Sequence, residues 1–170
     1  MSFRAKKRPA IFDGFEIRKN TKGRAVYALR DYKKGEFVYR LRGKTLSPRF
    51  LSYNEEDFKK DLYNPLQIDT ATYVRLGLPS LYFNHSCEPN LGVRNRSDLY
   101  ALRTIKKGEE LTYDYATTID ESFKCLCGAK KCRKTIGDFF TLPRNVQLFY
   151  LKHKALPDFI RKKLLRERKK

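Results

Sequence analysis

Tryptophan is absent from this chain of 170 residues, and cysteine occurs only four times. An apolar run of about 18 residues or more is also lacking, so the sequence predicts no membrane-spanning segment. The basic residues 1–9 contain no apolar core, so we expect no secretory signal there. Because the four cysteines are unevenly spaced, they favour metal binding over a disulfide framework.

Acidic residues are scarce relative to basic ones, with 19 Asp and Glu against 38 Lys and Arg and a net charge of +19. Such an excess favours polyanionic partners, either nucleic acid or a protein bound to it, although it also promotes solubility. Residues 4–8 are consistent with a localisation signal, a nucleic-acid-binding arm or a solvated tail. The 41% of hydrophobic residues predicts one folded domain with its own core.

The most informative stretch is the polar run N-H-S-C-E-P-N at residues 84–90. It places an amide, an imidazole, a hydroxyl and a thiol on consecutive residues and contains little that a core could bury. We therefore expect an ordered polar loop. The apolar residues 81–83 before it predict buried support, and residues 91–94 after it predict a strand.

Residues 84–90 resemble the signature of the SET-domain protein lysine methyltransferases. Two further motifs follow in the order that this family has. Residues 110–115, E-L-T-Y-D-Y, resemble its second catalytic motif, and residues 125–132, C-L-C-G-A-K-K-C, resemble its post-SET zinc segment. Three motifs in order within about fifty residues are unlikely to arise by chance. The resemblance covers roughly residues 15–137.

Short alternating segments dominate the chain until its C-terminal part and predict a β-rich fold of small sheets with short helices. Predicted strands are residues 15–18, 25–29, 36–43, 66–69, 72–74, 91–94 and 100–105, and predicted helices are residues 52–58, 146–150 and 157–165. The resemblance further implies a SET domain with a C-terminal pseudoknot-like arrangement, a post-SET zinc site and terminal helices.

We divide the chain into four parts on this basis. They are a basic N-terminal tail at 1–14, a SET domain at 15–117, a post-SET zinc segment at 118–137 and a C-terminal helical, basic extension at 138–170. In the family, the insert that contains residues 52–58 forms a wall of the peptide groove. Its acidic residues would attract a basic substrate, although a solvated helix end is the simpler interpretation.

The spacing C-x-C-x4-C offers three thiolates within eight residues, whereas a structural zinc takes four tetrahedral ligands. The remaining cysteine, Cys87, lies inside the polar run. The resemblance implies that Cys87, Cys125, Cys127 and Cys132 bind one Zn²⁺. Four unrelated buried thiols are the alternative.

The resemblance implies S-adenosylmethionine as the cofactor. The residues at its cofactor-contacting positions are Lys22, Gly23, Arg24, Asn84, His85, Tyr115, Cys127 and Ile136. Packing against the adenine is assigned to Ile136 or its neighbour Thr135, with Phe139 and Phe140 as alternatives.

Methyl transfer to lysine needs the neutral amine, although free lysine has a pKa of about 10.4. Burial in a narrow channel beside the sulfonium charge disfavours the ammonium form. By resemblance, Tyr115 is the catalytic tyrosine near the methyl group. Tyr113 is the residue that helps set the number of methyl groups, and tyrosine there goes with mono- or dimethylation. The two tyrosines alternate along a strand and could instead serve only in packing.

Two functions follow as hypotheses. The first is a lysine methyltransferase acting on a histone, another DNA-associated protein or a ribosomal protein, with nucleic-acid contacts through the basic tails. The second is a non-catalytic module that binds nucleic acid or nucleoprotein. Departures from the family pattern at Ala25, Leu41 and Leu81 favour the second, and the intact motifs favour the first. We expect an intracellular protein, nuclear in a eukaryote and cytoplasmic in a prokaryote, without a membrane partner.

Overall fold

The computed structural model of the chain describes residues 10–21, 23–46, 65–119 and 122–167. Within these residues thirteen short strands precede two helices. The strands are β1 (Ala10–Phe12), β2 (Phe15–Asn20), β3 (Gly23–Ala28), β4 (Phe37–Arg40), β5 (Gly43–Leu46), β6 (Leu66–Asp69), β7 (Thr72–Leu76), β8 (Asn84–His85), β9 (Leu91–Arg94), β10 (Asp98–Ala101), β11 (Thr112–Tyr113), β12 (Phe123–Lys124) and β13 (Thr135–Ile136), and the helices are α1 (Arg144–Lys152) and α2 (Asp158–Glu167). The predicted β-rich class is confirmed.

The strands form five small sheets. Three are antiparallel and three-stranded, in the orders β1-β2-β3, β4-β10-β9 and β5-β7-β6. The other two are pairs, in which β12 runs antiparallel to β13 and β8 runs parallel to β11. The parallel pair is the one that positions the site, because its two strands carry residues from two different motifs.

The main core lies beneath the β8–β11 pair and combines residues from the sheets. Alternation along β2 and β3 directs Phe15, Ile17, Val26 and Ala28 into it. The ring of Phe83, directly before β8, is 1% exposed and lies 5.4 Å from the ring of Phe15. The loop at residues 84–90 therefore starts from a rigid, buried residue.

A second core attaches the two C-terminal helices to the sheets. Phe139, Tyr150 and Phe159 are buried in it together with Leu102, which directly follows β10. Gly92 on β9 permits this contact, since a Cβ there would lie only 2.5 Å from the Cβ of Ala155. The helices are thus packed against the domain.

Two predicted strands are wrong in their extent. Residues 36–43 are predicted as one strand, but β4 ends at Arg40 and Gly43 begins β5, which pairs with β7 in another sheet; the Leu41 N–H still donates to Ser97 O and is the last contact with the first sheet. The strand predicted at 100–105 overlaps only the last two residues of β10, which ends at Ala101; the Leu102 N–H to Asn90 O continues the pairing for one residue, and the Leu102 side chain then packs in the second core.

The predicted hairpin at 66–74, the strand at 91–94 and both C-terminal helices are confirmed, although the helices are longer than predicted. The tail at 1–9, Lys22 and the insert with its predicted helix at 52–58 lie outside the described residues. The proposed division into four parts stays a prediction. Among the described residues, neither helix is long and apolar enough to cross a bilayer.

Candidate active site and metal centre

The parallel pairing of β8 with β11 brings the polar run at 84–90 and the E-L-T-Y-D-Y motif together. Asn84 lies opposite Thr112, and His85 lies opposite Tyr113. The buried side chain of Asn90 accepts the N–H of Thr112 at 2.9 Å and donates to the carbonyl of Glu110 at 2.8 Å. One side chain therefore fixes the register between the two segments.

The amide of Asn84 makes a second link. Its Nδ2 donates to Oε1 of Glu110 at 3.0 Å and to the carbonyl of Arg24 at 3.2 Å. Arg24 lies on β3, next to Gly23, whose φ of 129° lies in a region that L side chains rarely adopt. The start of β3 is thus held beside the polar loop.

His85 connects the tyrosine motif to the cysteines. Its Nδ1 accepts the N–H of Tyr115 at 3.2 Å, and its Nε2 lies 3.3 Å from Sγ of Cys87. Burial lowers the pKa of His85 to about 4, so the ring is neutral. Since Nδ1 is an acceptor, the ring proton is assigned to Nε2, which then donates to the sulfur of Cys87.

The side chain of Tyr115 is fixed by a hydrogen bond at its hydroxyl and by two aromatic neighbours of its ring. Its hydroxyl donates to the carbonyl of Phe83 at 3.0 Å, and its ring lies 5.4 Å from His85 and 4.9 Å from Tyr113. Burial raises the pKa of Tyr115 above its ordinary value, and burial raises that of Tyr113 as well. Both phenols are therefore protonated at neutral pH and can act as hydrogen-bond donors.

A cavity of about 500 Å³ opens beside Tyr115, which is a volume typical of small-molecule sites. Five predicted cofactor residues line it, namely Asn84, His85, Tyr115, Cys127 and Ile136. Asn90, Glu110, Phe123, Lys124 and Leu126 also contribute to the wall. Both motif segments and the cysteine segment therefore enclose one space.

The four cysteines are free thiols and form one cluster at the edge of this cavity. The Sγ atoms of Cys87 and Cys125 are 3.7 Å apart, and those of Cys125 and Cys132 are 3.6 Å apart. Tetrahedral zinc with Zn–S bonds of about 2.3 Å would give S–S edges of about 3.8 Å. The observed spacings fit such an ion.

Hydrogen bonding favours Cys132 over His85 as the candidate fourth ligand. His85 and three cysteines, Cys87, Cys125 and Cys127, have ligand atoms that all lie within 4.8 Å of one another, and Cys132 lies outside this group. However, the tautomer assigned from the Tyr115 hydrogen bond places the ring proton of His85 on Nε2, and a protonated nitrogen does not bind a metal. The residues therefore fit four thiolates, with His85 as a hydrogen-bond donor to Cys87.

Backbone donors favour the thiolate form of individual cysteines, although burial raises the pKa of Cys87 and of Cys125. Arg133 donates its N–H to Cys87 Sγ, and Lys134 donates its N–H to Cys132 Sγ, each at 3.4 Å. Burial raises the pKa of Cys127, but hydrogen bonds from the backbone of Cys87 and Ala129 lower it, to about 7 in total. Negatively charged sulfur is the form that binds zinc.

A family model described as SET domain matches residues 23–116, more than half of the chain. The chain belongs to the SET domain family. The match includes the polar loop, the E-L-T-Y-D-Y motif and Cys87, whereas the other three cysteines lie beyond it.

Curated relatives of this SET domain include two much longer proteins. A variant-silencing SET domain-containing protein of Plasmodium falciparum is 34% identical over 74% of this chain. The histone-lysine N-methyltransferase trithorax of Drosophila virilis is 35% identical over 71% of it. The chain spans only 6% and 4% of the length of these two relatives.

Among solved structures, this SET domain resembles KRYPTONITE in complex with mCHH DNA, an H3(1-15) peptide and SAH. The TM-score is 0.56 at 26% identity, and the match covers 72% of this chain and 29% of that chain. The predicted family and fold class are thereby confirmed.

Not every residue assigned by resemblance lines the cavity of this SET domain. Thr135, Phe139 and Phe140 are not among its lining residues, whereas Ile136 is, so Ile136 is the candidate for adenine packing. Gly23 and Arg24 are also outside the lining, although the carbonyl of Arg24 is held by Asn84. Tyr113 supports the site from below, being 3% exposed.

Two of the three departures from the family pattern, those at Ala25 and Leu41, have structural explanations. Ala25 is fully buried, and Leu41 is buried in the main core, so both fill packing positions. Leu81 is 38% exposed. Tyr39, two residues before Leu41, stacks 5.5 Å from Phe83 against the core.

Sequence reasoning missed Glu110 and Phe123 in the cavity wall. Glu110 begins the E-L-T-Y-D-Y motif, and Phe123 precedes the cysteines by two residues, so position within the motifs could have suggested both. It also missed the carboxylate of Asp114, which accepts from Arg133 at 2.7 Å and from Tyr150 at 2.8 Å. Those partners are distant in sequence, and no local pattern indicates them.

Proposed function

We propose that this SET domain is an S-adenosylmethionine-dependent protein-lysine N-methyltransferase. The observation that carries the proposal is the phenol of Tyr115, oriented by Phe83 O at the wall of a cavity of about 500 Å³. The structural relative with bound SAH, the product left after methyl transfer, supports the same cofactor class. When bound, the cofactor would supply an electrophilic methyl group on a sulfonium.

The role that we propose for Tyr115 is to position and stabilise rather than to remove a proton. Its raised pKa keeps the hydroxyl protonated, and that hydroxyl is already engaged with the Phe83 carbonyl. The electron-rich ring can face a cationic methyl group. Loss of the lysine proton would then be promoted by burial of the amine and by the nearby positive charge.

The neighbouring phenol, Tyr113, is proposed to limit the number of methyl groups added. Its ring lies 4.9 Å from that of Tyr115, and its pKa is raised, so its hydroxyl is a neutral polar group behind the catalytic phenol. A hydroxyl with an associated water takes up the space of an extra methyl group. We therefore expect mono- or dimethyllysine as the product.

A structural zinc ion on Cys87, Cys125, Cys127 and Cys132 is part of the proposal. The sulfur spacings of 3.6 and 3.7 Å support it. Three of these ligands lie in the segment that supplies Cys127 and Ile136 to the cavity wall, and the fourth lies in the polar loop. The metal would tie the two together.

The substrate that we propose is a histone or another basic, nucleic-acid-associated protein. Relatives named histone-lysine N-methyltransferases and a structural relative with a bound H3 peptide support this class. A ribosomal protein has no such support. An intracellular location follows from this substrate, in the nucleus of a eukaryote or the cytoplasm of a prokaryote.

The test is incubation of the zinc-loaded protein with S-adenosylmethionine and core histones, followed by mass spectrometry of the histones. We expect lysine mass shifts of one or two methyl groups, and Tyr115→Phe should abolish them. Tyr100→Phe is the control, since Tyr100 lies on β10 outside the cavity and should leave the shifts unchanged. Equal modification by wild type and Tyr115→Phe would refute the assigned role.

Nucleic-acid binding is a second candidate function. The net charge of +19, the exposed residues Arg161, Lys162 and Arg166 on α2 and the DNA-bound structural relative support it. Binding of duplex DNA measured by fluorescence anisotropy should weaken steeply with added salt and be unaffected by Tyr115→Phe. If the chain binds DNA in this way but never modifies a lysine, it is the non-catalytic module.

A further inference from the structure

The carboxylate of Asp114 lies between the two motif tyrosines and is fully buried. Its Oδ2 accepts from the hydroxyl of Tyr150 at 2.8 Å, and its Oδ1 accepts from Nη2 of Arg133 at 2.7 Å and from the N–H of Ala116 at 3.1 Å. A buried charge needs such partners, because leaving it unpaired is costly. The network therefore fixes where Asp114 can lie.

Tyr150 belongs to α1, beyond the range matched by the family model. It is 1% exposed, and its ring packs against Phe139 and Phe149. Burial raises its pKa, and the charge of Asp114 raises it further, so the hydroxyl remains a donor. Tyr150 thus carries a directed hydrogen bond from the C-terminal extension to the E-L-T-Y-D-Y motif.

The hydrogen bond from Tyr150 to Asp114 also affects the position of Tyr115, the residue that follows Asp114. The Asp114 side chain caps the turn Tyr115–Thr117 through the N–H of Ala116, so it sets the backbone at Tyr115. The Tyr115 N–H in turn donates to Nδ1 of His85, and the Tyr115 hydroxyl donates to the carbonyl of Phe83. A displacement of Asp114 would therefore misalign the phenol, and small misplacements in an active site are expensive in rate.

We propose that Tyr150 is a positioning residue for Tyr115 and acts through the carboxylate of Asp114. Arg133, which directly follows the predicted zinc ligand Cys132, holds the other oxygen of the same carboxylate. The C-terminal extension and the cysteine segment thereby control the geometry of the catalytic phenol from behind the cavity. The part of this inference that concerns turnover rests on the proposed methyltransferase function.

Tyr150→Phe tests the proposal, with Tyr32→Phe as the matched control. Tyr32 is also 1% exposed, and its hydroxyl also makes one 2.8 Å hydrogen bond, to the carbonyl of Gly14. Both variants lose a buried hydrogen bond, so both melting temperatures should fall, that of Tyr150→Phe further because its partner is a charged carboxylate. We expect Tyr150→Phe to lower kcat about tenfold with KM for the cofactor within about twofold, and Tyr32→Phe to leave both nearly unchanged. An equal loss of kcat in the two variants would mean a general stability effect and would overturn the proposal.

A second measurement does not depend on activity. Hydrogen exchange followed by mass spectrometry should show faster exchange at residues 113–118 in Tyr150→Phe than in wild type or Tyr32→Phe. If the chain proves to have no methyltransferase activity, this result still establishes the structural coupling and the proposed function alone fails. Unchanged exchange at residues 113–118, or altered exchange with unaltered kcat in an active enzyme, would overturn the role of Tyr150.

Discussion

Lys134 occupies a backbone conformation that suits glycine better than lysine. Its φ of 66° lies in the left-handed region, where the Cβ of an L residue crowds its own carbonyl. The conformation is imposed by its neighbours, because the Lys134 N–H meets the sulfur of Cys132 and its carbonyl accepts from the N–H of Cys125. This strained backbone conformation at Lys134 allows the three cysteines of the segment to lie close together.

We expect Lys134→Gly to stabilise the folded protein by about 0.5–1 kcal/mol, since relief of strain exceeds the entropy that glycine adds to the unfolded chain. The measurement is the melting temperature of the zinc-loaded protein. Lys134→Ala removes the long side chain but keeps the Cβ, so it should bring no gain. An equal gain from Ala and Gly would show that the backbone conformation is not the cause.

Asn90 is the residue on which the parallel pairing of β8 with β11 depends. Two-residue strands supply few ladder hydrogen bonds, and Asn90 adds two from its buried amide, to Glu110 and Thr112. Asn90 follows Pro89 as the last residue of the polar run, and its hydrogen bonds join the run to the E-L-T-Y-D-Y motif. Register between the two motifs is thus set by a side chain as well as by the strands.

We expect Asn90→Ala to cost about 2–3 kcal/mol of stability, because it leaves the partly buried Thr112 N–H and Glu110 carbonyl without these partners. Cofactor binding should weaken as well, since Asn90 fixes the relative positions of the two segments that carry Asn84, His85 and Tyr115. Denaturant unfolding and calorimetry with SAH measure the two effects. Asn95→Ala, which removes one bond from an exposed turn residue to Asp98, is the control and should leave SAH binding intact.

The elements that sequence predicted well are those whose signal is local. The hairpin of β6 and β7 has alternating residues around a turn, and the helix α1 begins directly after Pro143, a favoured boundary. The predicted strand at 36–43 was wrong because its two halves pair with different distant strands, β4 with β10 and β5 with β7, and no local pattern shows this.

The distinction between local sequence signals and long-range contacts also applies to the candidate site. Motif spacing was enough to select the residues that line the cavity, Asn84, His85, Tyr115 and Ile136 among them. The link from Tyr150 to Asp114 spans 36 residues and joins a helix to a turn. Such a contact depends on how the second core packs, and no periodicity or spacing in the chain encodes it.

At the scale of the whole molecule, the cysteine cluster joins two regions with separate cores. Cys87 belongs to the polar loop above the main core, and Cys125 lies among apolar residues of the C-terminal segment, including Ile119 and Ile136. Beyond the cluster, Arg133 continues the connection to Asp114. The metal that we propose is therefore placed to hold the cavity closed, whereas the main core has its own apolar contacts and does not depend on it.

Removal of zinc should consequently abolish cofactor binding before it unfolds the protein. After treatment with a strong chelator under reducing conditions, we expect calorimetry to show no SAH binding and hydrogen exchange to accelerate across residues 122–137. Exchange in β2, β3, β9 and β10 should remain slow, because the buried contacts of the main core are intact. Added zinc should restore binding in wild type but not in Cys125→Ser, since three thiolates leave the ion without its tetrahedral set. Simultaneous loss of protection in all strands would instead show that the metal holds the entire fold, and SAH binding by the metal-free protein would show that the cluster does not close the cavity.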